Sequence, residues 1–180
     1  MDADGRRLPM RLYKIDYKDC PALPVDNGVR RKKIGLLHLF VEGEKKSLKA
    51  LLGRLYFYLI SKGSFSIYYT LDPEEGTVTH SSYVTGASYK FPFMRKGDIH
   101  IGPCHTAPEH RGKGLYKQVL RAIHQDQQGS DHAAYMLVAE DNLPSIRGIE
   151  ACGFRHEGSV EKHSPLKIYR RVPHDPMEKI

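Results

Sequence analysis

Residues 108–116, Pro-Glu-His-Arg-Gly-Lys-Gly-Leu-Tyr, close an apolar, strand-like run and open an amphipathic helical pattern. Gly112 and Gly114, one residue apart, allow consecutive backbone N–H groups to converge on an anion, and the helix that follows aims the positive end of its dipole at the same spot. Arg111 and Lys113 add charge to this phosphate cradle. A P-loop needs four residues between its glycines and then Lys-Ser/Thr, and a dinucleotide fingerprint needs a third glycine. Neither pattern is present, so nucleoside triphosphate and nicotinamide chemistry lose ground.

A second segment, residues 142–154, reads Asn-Leu-Pro-Ser-Ile-Arg-Gly-Ile-Glu-Ala-Cys-Gly-Phe. Together the two segments resemble the GNAT superfamily of acyl-coenzyme A-dependent N-acetyltransferases, whose signature is Arg/Gln-x-x-Gly-x-Gly/Ala followed by Asn-x-x-Ala/Ser and Gly-Phe. Arg111 and Gly114 fit the first part, while Tyr116 replaces its final small residue. Asn142, Ser145, Gly153 and Phe154 fit the second, and Ile149 stands where many members carry a tyrosine acid.

The resemblance spans residues 65–172 and implies an α/β chain of the α+β type, with a mixed, centrally splayed β-sheet flanked by helices. It implies acetyl-coenzyme A (acetyl-CoA) as cosubstrate. By the same token the cofactor contacts are Cys104, His105, Thr106, Arg111, Gly112, Lys113, Gly114, Leu115, Tyr116, Asn142 and Ser145. A distortion at Gly102-Pro103 would open the strand before the loop, so that backbone at 104–106 pairs with the pantetheine arm and one N–H faces the thioester oxygen.

An amine acceptor arrives as an ammonium ion and must lose a proton before it attacks, so a base near neutral pKa is wanted. Histidine is the natural choice. His100 alternates away from Ile99 and Ile101 on the strand leading to the bulge, and His80 and His105 are its rivals. Ile149 has no proton to give a leaving thiolate; Ser145, Tyr116 or water remain, or unassisted departure. Similarity to relatives of cell-surface polysaccharide pathways points to an amino sugar as the small primary-amine acceptor, attacked directly with no acyl-enzyme. The reading from another class is a catalytically impaired module that senses acyl-CoA or acts as a scaffold.

Composition limits the alternatives. The 180 residues carry a formal charge of +7, but the basic residues are dispersed, which fits attraction of a polyanionic cofactor better than a nucleic-acid stripe. Cys20, Cys104 and Cys152 form no CxxC pair, and no signal-peptide pattern opens the chain, which points to a reduced cytoplasm. Cys104 and Cys152 read as packing residues. The ten histidines show no zinc spacing, so no metal is expected. The longest apolar patch, interrupted by Gly53 and Arg54, is too short to span a bilayer. The expected partners are acetyl-CoA and the acceptor, without nucleic acid or membrane, in a monomer or homodimer. One domain over 1–180, with flexible ends at 1–9 and 173–180, is the expected organisation.

The elements that must position these groups follow from periodicity. A first strand falls at 10–17, and Pro21, Pro24, Asp26, Asn27 and Gly28 mark an irregular connection. The basic run 30–33 leads to an apolar segment, 34–41, that fits helix or strand. Residues 44–61 place Leu48, Leu51, Leu52, Leu55, Tyr56 and Leu59 at helical spacing, which predicts a buried stripe with Gly63 as its stop. A hairpin is expected from 65–71 and 77–85. The loop 86–96 carries Phe91-Pro92-Phe93, predicted as exposed aromatics over the cleft. Then come a strand at 98–106, a helix at 115–127, a strand at 134–139, a helix at 145–151 and a strand pair at 154–160 and 166–172.

Overall fold

The computed structural model describes residues 10–19, 28–36, 38–44, 47–163 and 168–173. The arm at 1–9, most of the 20–28 connection with Cys20, the start of the last predicted strand and the tail beyond 173 lie outside the described residues.

Eight strands form one sheet: β1 (Met10–Asp16), β2 (Arg30–Lys33), β3 (Phe65–Leu71), β4 (Val78–Gly86), β5 (Ile99–Thr106), β6 (Ala133–Ala139), β7 (Arg155–His163) and β8 (Ile168–Arg171). Their spatial order is β2-β3-β4-β5-β6-β1-β7-β8. Only β5 and β6 run parallel, and they are the pair that needs a helical crossover. That crossover is α2 (Leu115–Gln127); α1 (Leu48–Ile60) precedes β3, and α3 (Leu143–Glu150) follows β6.

Alternation along the strands builds a core on each face. One face carries Tyr68, Ile99 and Ile101 against Val119, Leu120 and Ile123 of α2 and Ile146 and Ile149 of α3. The other carries Leu12, Tyr135 and Val160 beneath Phe91, and Ile67 and Phe65 beside Phe57 of α1. Two phenols tie helices to the first face: Tyr68 Oη donates to Asp126 Oδ2 on α2 at 2.8 Å, and Tyr13 Oη donates to Glu150 Oε1 on α3 at 2.8 Å.

Three expectations need correction. The basic run Arg30–Lys33 is itself the edge strand β2, paired antiparallel to β3, because lysine and arginine suit an edge that must not recruit another strand. The apolar segment after it forms neither helix nor strand among its described residues, only an isolated bridge between Gly35 and His38.

The second correction is α1. Ser47 caps it, its Oγ accepting from Ala50 N at 3.1 Å, and Gly63 follows with φ +80°. Yet the predicted stripe faces water: Leu48 is 70% exposed, Leu52 57% and Leu59 61%, while Arg54 is 2% exposed. Arg54 is held under the helix by Glu44 Oε1 (2.6 Å) and the carbonyl of Leu39 (2.7 Å), with its guanidinium over the Phe40 and Tyr83 rings. A buried arginine saturated by such partners has no reason to return to solvent, so the leucines turn outward.

The third is Phe91. It is buried rather than exposed, stacked on His100 at 4.3 Å and on Tyr169 at 5.4 Å, and closes the core away from α2 and α3. Phe93 is half-buried against Tyr135.

Candidate functional site

The strand pairing itself opens the site. β5 pairs with β6 only at Ile99↔Ala134 and His100↔Tyr135; beyond these, the two strands part. On its other side β5 stays paired with β4, with a register shift between Ser82 and Val84 opposite Gly102-Pro103. The remainder of β5 therefore presents one backbone edge to a gap, and the gap continues into a cavity of about 620 Å³ between β5, α2 and α3. Its volume lies within the range of small-molecule sites.

At one end of the cavity, Gly112 (φ +77°) and Gly114 (φ +79°) turn the chain into α2. Gly114 is the N-cap and supplies no side-chain acceptor. The first-turn N–H groups of a helix have no intrahelical partner, so here they form an anion-binding end. A Cβ built on either glycine would meet nothing within 4 Å, which shows open space above the turn. Arg111, Lys117 and Arg147 bring positive charge to the lining, and Arg111 Nε reaches the carbonyl of Thr106 at 3.4 Å. The donor set and the open turn fit the phosphates of a coenzyme A.

Asn142 caps α3, its Oδ1 accepting from Ser145 N at 3.3 Å, and both residues line the cavity. At the inner end, His80 lies buried with Nδ1 2.7 Å from Thr106 Oγ1 and Nε2 2.9 Å from Ser82 Oγ. Burial, and secondarily the charge of His105, lowers its pKa to about 4, so it is neutral at physiological pH. Tyr116 projects from α2 onto this cluster, its ring 5.7 Å from that of His80 and its hydroxyl near Cys104. Burial, then Cys104 and Cys152, pushes the phenol well above the usual tyrosine range, and burial pushes the Cys104 thiol up to about 11. Both keep their protons at neutral pH.

Of the residues singled out in the sequence, Cys104, His105, Thr106, Arg111, Gly112, Gly114, Leu115, Tyr116, Asn142 and Ser145 line this cavity, and so does His80. Lys113 does not; its Nζ lies 3.3 Å from His110 Nδ1 at the surface. His100 is also elsewhere. It is buried on the opposite face, under Phe91 and against Gly102, where burial and the charge of Lys90 lower its pKa to about 3. Ile149 is 1% exposed and belongs to the core beneath α3.

Sequence reasoning passed over His110, Lys117, Pro144, Arg147 and Gly148, which also line the cavity. The part of Gly148 lies in tertiary packing. A Cβ there would stand 2.9 Å from Tyr116 Cδ1, so the bulk gained at position 116 is accommodated by the bulk missing at 148. Among the described residues no group of three or more His, Cys, Asp or Glu could hold a metal ion, and no helix is long and apolar enough to cross a membrane.

The chain shares its fold with solved acetyltransferases. It is similar to an acetyltransferase of the GNAT family from Colwellia psychrerythraea, at 16% identity and TM-score 0.54, over 84% of this chain and 53% of that one. A putative family member from Bordetella pertussis shares 25% identity at TM-score 0.52, over 64% of this chain and 70% of that one. An aminoglycoside N-acetyltransferase in complex with CoA shares 14% identity at TM-score 0.50, over 76% of this chain and 98% of that one. The chain thus spans about half the length of the Colwellia psychrerythraea structure. No curated protein matches the sequence. The family model for GNAT acetyltransferases matches residues 49–154, more than half of the sequence and the stretch that holds β3 through α3 and the cavity between β5, α2 and α3. This chain belongs to the GNAT family of acetyltransferases.

Proposed function

We propose that the protein binds acetyl-CoA, the cosubstrate of its family, in this cavity and transfers the acetyl group directly to the primary amine of a small acceptor. An amino sugar is the first acceptor class to test. The observation that carries the reading is the pair of left-handed glycines at the uncapped start of α2, set beside the edge of β5 that β6 abandons.

The first-turn amides of α2, with Arg111, Lys117 and Arg147, hold the phosphates. Asn142 uses its Oδ1 on the cap, which leaves its Nδ2 amide as a donor for the pantetheine arm. Backbone N–H groups in Cys104 to Thr106 receive the charge that develops on the acetyl oxygen. When bound, the thioester supplies an activated acetyl group. His105, the exposed imidazole of the cavity, takes the proton from the acceptor ammonium. His80, buried and neutral, orients the Thr106 and Ser82 hydroxyls. His100 acts on packing alone, since Phe91 and Gly102 enclose it away from the cavity. The protonated Tyr116 phenol donates a hydrogen bond to the departing sulfur, the part that Ile149 has no group to play.

A screen of primary amines with free thiol as the readout tests the activity. Thiol release that saturates with acetyl-CoA and depends on the amine is expected. Calorimetric binding of acetyl-CoA without release for any amine would instead favour the sensing module that Ile149 motivates.

Tyr116→Phe keeps the ring against Gly148 and removes only the donor. It is expected to lower kcat by roughly 10- to 100-fold while the acetyl-CoA KM stays within about twofold. An unchanged kcat would mean that the ring's packing, not its hydroxyl, is what matters.

A further inference from the structure

On α1, Leu48, Leu52, Leu55 and Leu59 follow a 4-3-4 spacing, the seam of a two-helix coiled coil. Three of them stand 57–70% exposed, with Tyr56 and Tyr89 flanking, their hydroxyls 3.4 Å apart. Arg54, on the far side of the helix, is fixed by Glu44, so the helix cannot roll to hide its leucines without stripping a buried charge.

The seam is self-complementary. A twofold axis between positions 53 and 54 sets Leu48 against Leu59 of a second copy and Leu52 against its Leu55. The exposed leucines and the two tyrosines amount to roughly 600 Å² per copy, the lower end of the half-share of a specific interface and the upper end of what a monomer normally leaves exposed. The sequence of α1 holds no carboxylate, so nothing in the stripe selects a basic partner. The helix packs on the sheet face opposite α2 and α3, through Phe57 on Phe65 and Tyr83, so pairing there leaves the cavity open.

We infer that α1 is a homodimer interface, in which two copies pair their Leu48–Leu59 seams antiparallel about a twofold axis. The contact is isologous and closes, which excludes filaments.

Sedimentation velocity of the full chain tests it. At about 100 µM the wild type is expected to run as a dimer. Leu52→Glu should run as a monomer, its dissociation constant raised about 100-fold or more, with a thermal midpoint no lower than that of a wild-type sample diluted to monomer. Leu55→Lys should also be monomeric alone, and an equimolar mixture with Leu52→Glu should recover a heterodimer, because positions 52 and 55 face each other across the axis. A wild-type monomer at that concentration, or a dimer that survives Leu52→Glu, overturns the inference. So does a mixture that stays monomeric, which contradicts the antiparallel register. Monomers that bind phosphatidylglycerol vesicles through this stripe would assign it to a lipid surface and overturn it as well.

Discussion

Gly114→Asp is expected to weaken coenzyme A binding by at least about 100-fold, enough to remove it from a calorimetric titration at micromolar protein. Two effects act together. Position 114 has φ +79°, where an L side chain costs about 1 kcal/mol, so the turn shifts away from the geometry that converges the amides. The carboxylate also enters the open space above the turn, the place where a phosphate must approach, and sets like charges at contact distance. Gly114→Ala separates the two, since it carries the backbone cost without the charge. It should retain measurable affinity. A Gly114→Asp protein that binds coenzyme A as tightly as wild type would remove the phosphates from this turn.

The second large effect is on stability. His80, His100 and His124 are buried, and burial lowers their pKa values to about 4, 3 and 4. In the unfolded chain each titrates near the ordinary histidine value of about 6.5. Below about pH 6.5 the unfolded state therefore binds up to three more protons than the folded state, and stability falls as pH falls; above that value the contribution is constant. The slope is about 1.4 kcal/mol per pH unit for each histidine, or about 4 kcal/mol per unit when all three act. Against a total stability of about 5–15 kcal/mol, this predicts cooperative unfolding between about pH 5.5 and 4. Urea midpoints at neutral and acid pH measure it. His124 sits between the rings of Tyr17 and Phe154 with neither nitrogen hydrogen-bonded among the described residues, so His124→Phe should flatten the slope by about a third. A midpoint that does not move between pH 7 and 5 would mean that these rings reach water.

Much of this site can be read from local sequence because its chemistry is local. The 111–116 turn needs two left-handed positions, and glycine marks both; α3 needs a capping acceptor, and Asn142 is one. The β3–β4 hairpin and α2 follow from period and turn residues, and α2 spans the predicted 115–127. What escaped depends on tertiary choice. The pattern of α1 shows a leucine face but not that Arg54 would be captured by Glu44 and Leu39, a contact that decides which side turns inward. Alternation sends His100 to the face opposite Ile99 and Ile101, yet not that Phe91 would fold over it. Four consecutive basic residues at 30–33 carry no apolar alternation, and only the neighbouring β3 makes them a strand. Tyr116 and Gly148 are far apart in sequence, and their exchange of volume is visible only once α2 and α3 are packed.

The two residue pairs that join β5 to β6 divide the sheet like an open book, with β2 to β5 as one leaf and β6, β1, β7 and β8 as the other. A ligand laid along the gutter touches both leaves and replaces the rungs that the strands do not make with each other. Occupancy and rigidity are then one equilibrium. At a hundred times its dissociation constant such a ligand adds about 2.7 kcal/mol to the stability of the closed volume, a sizeable fraction of what holds a chain of this size together.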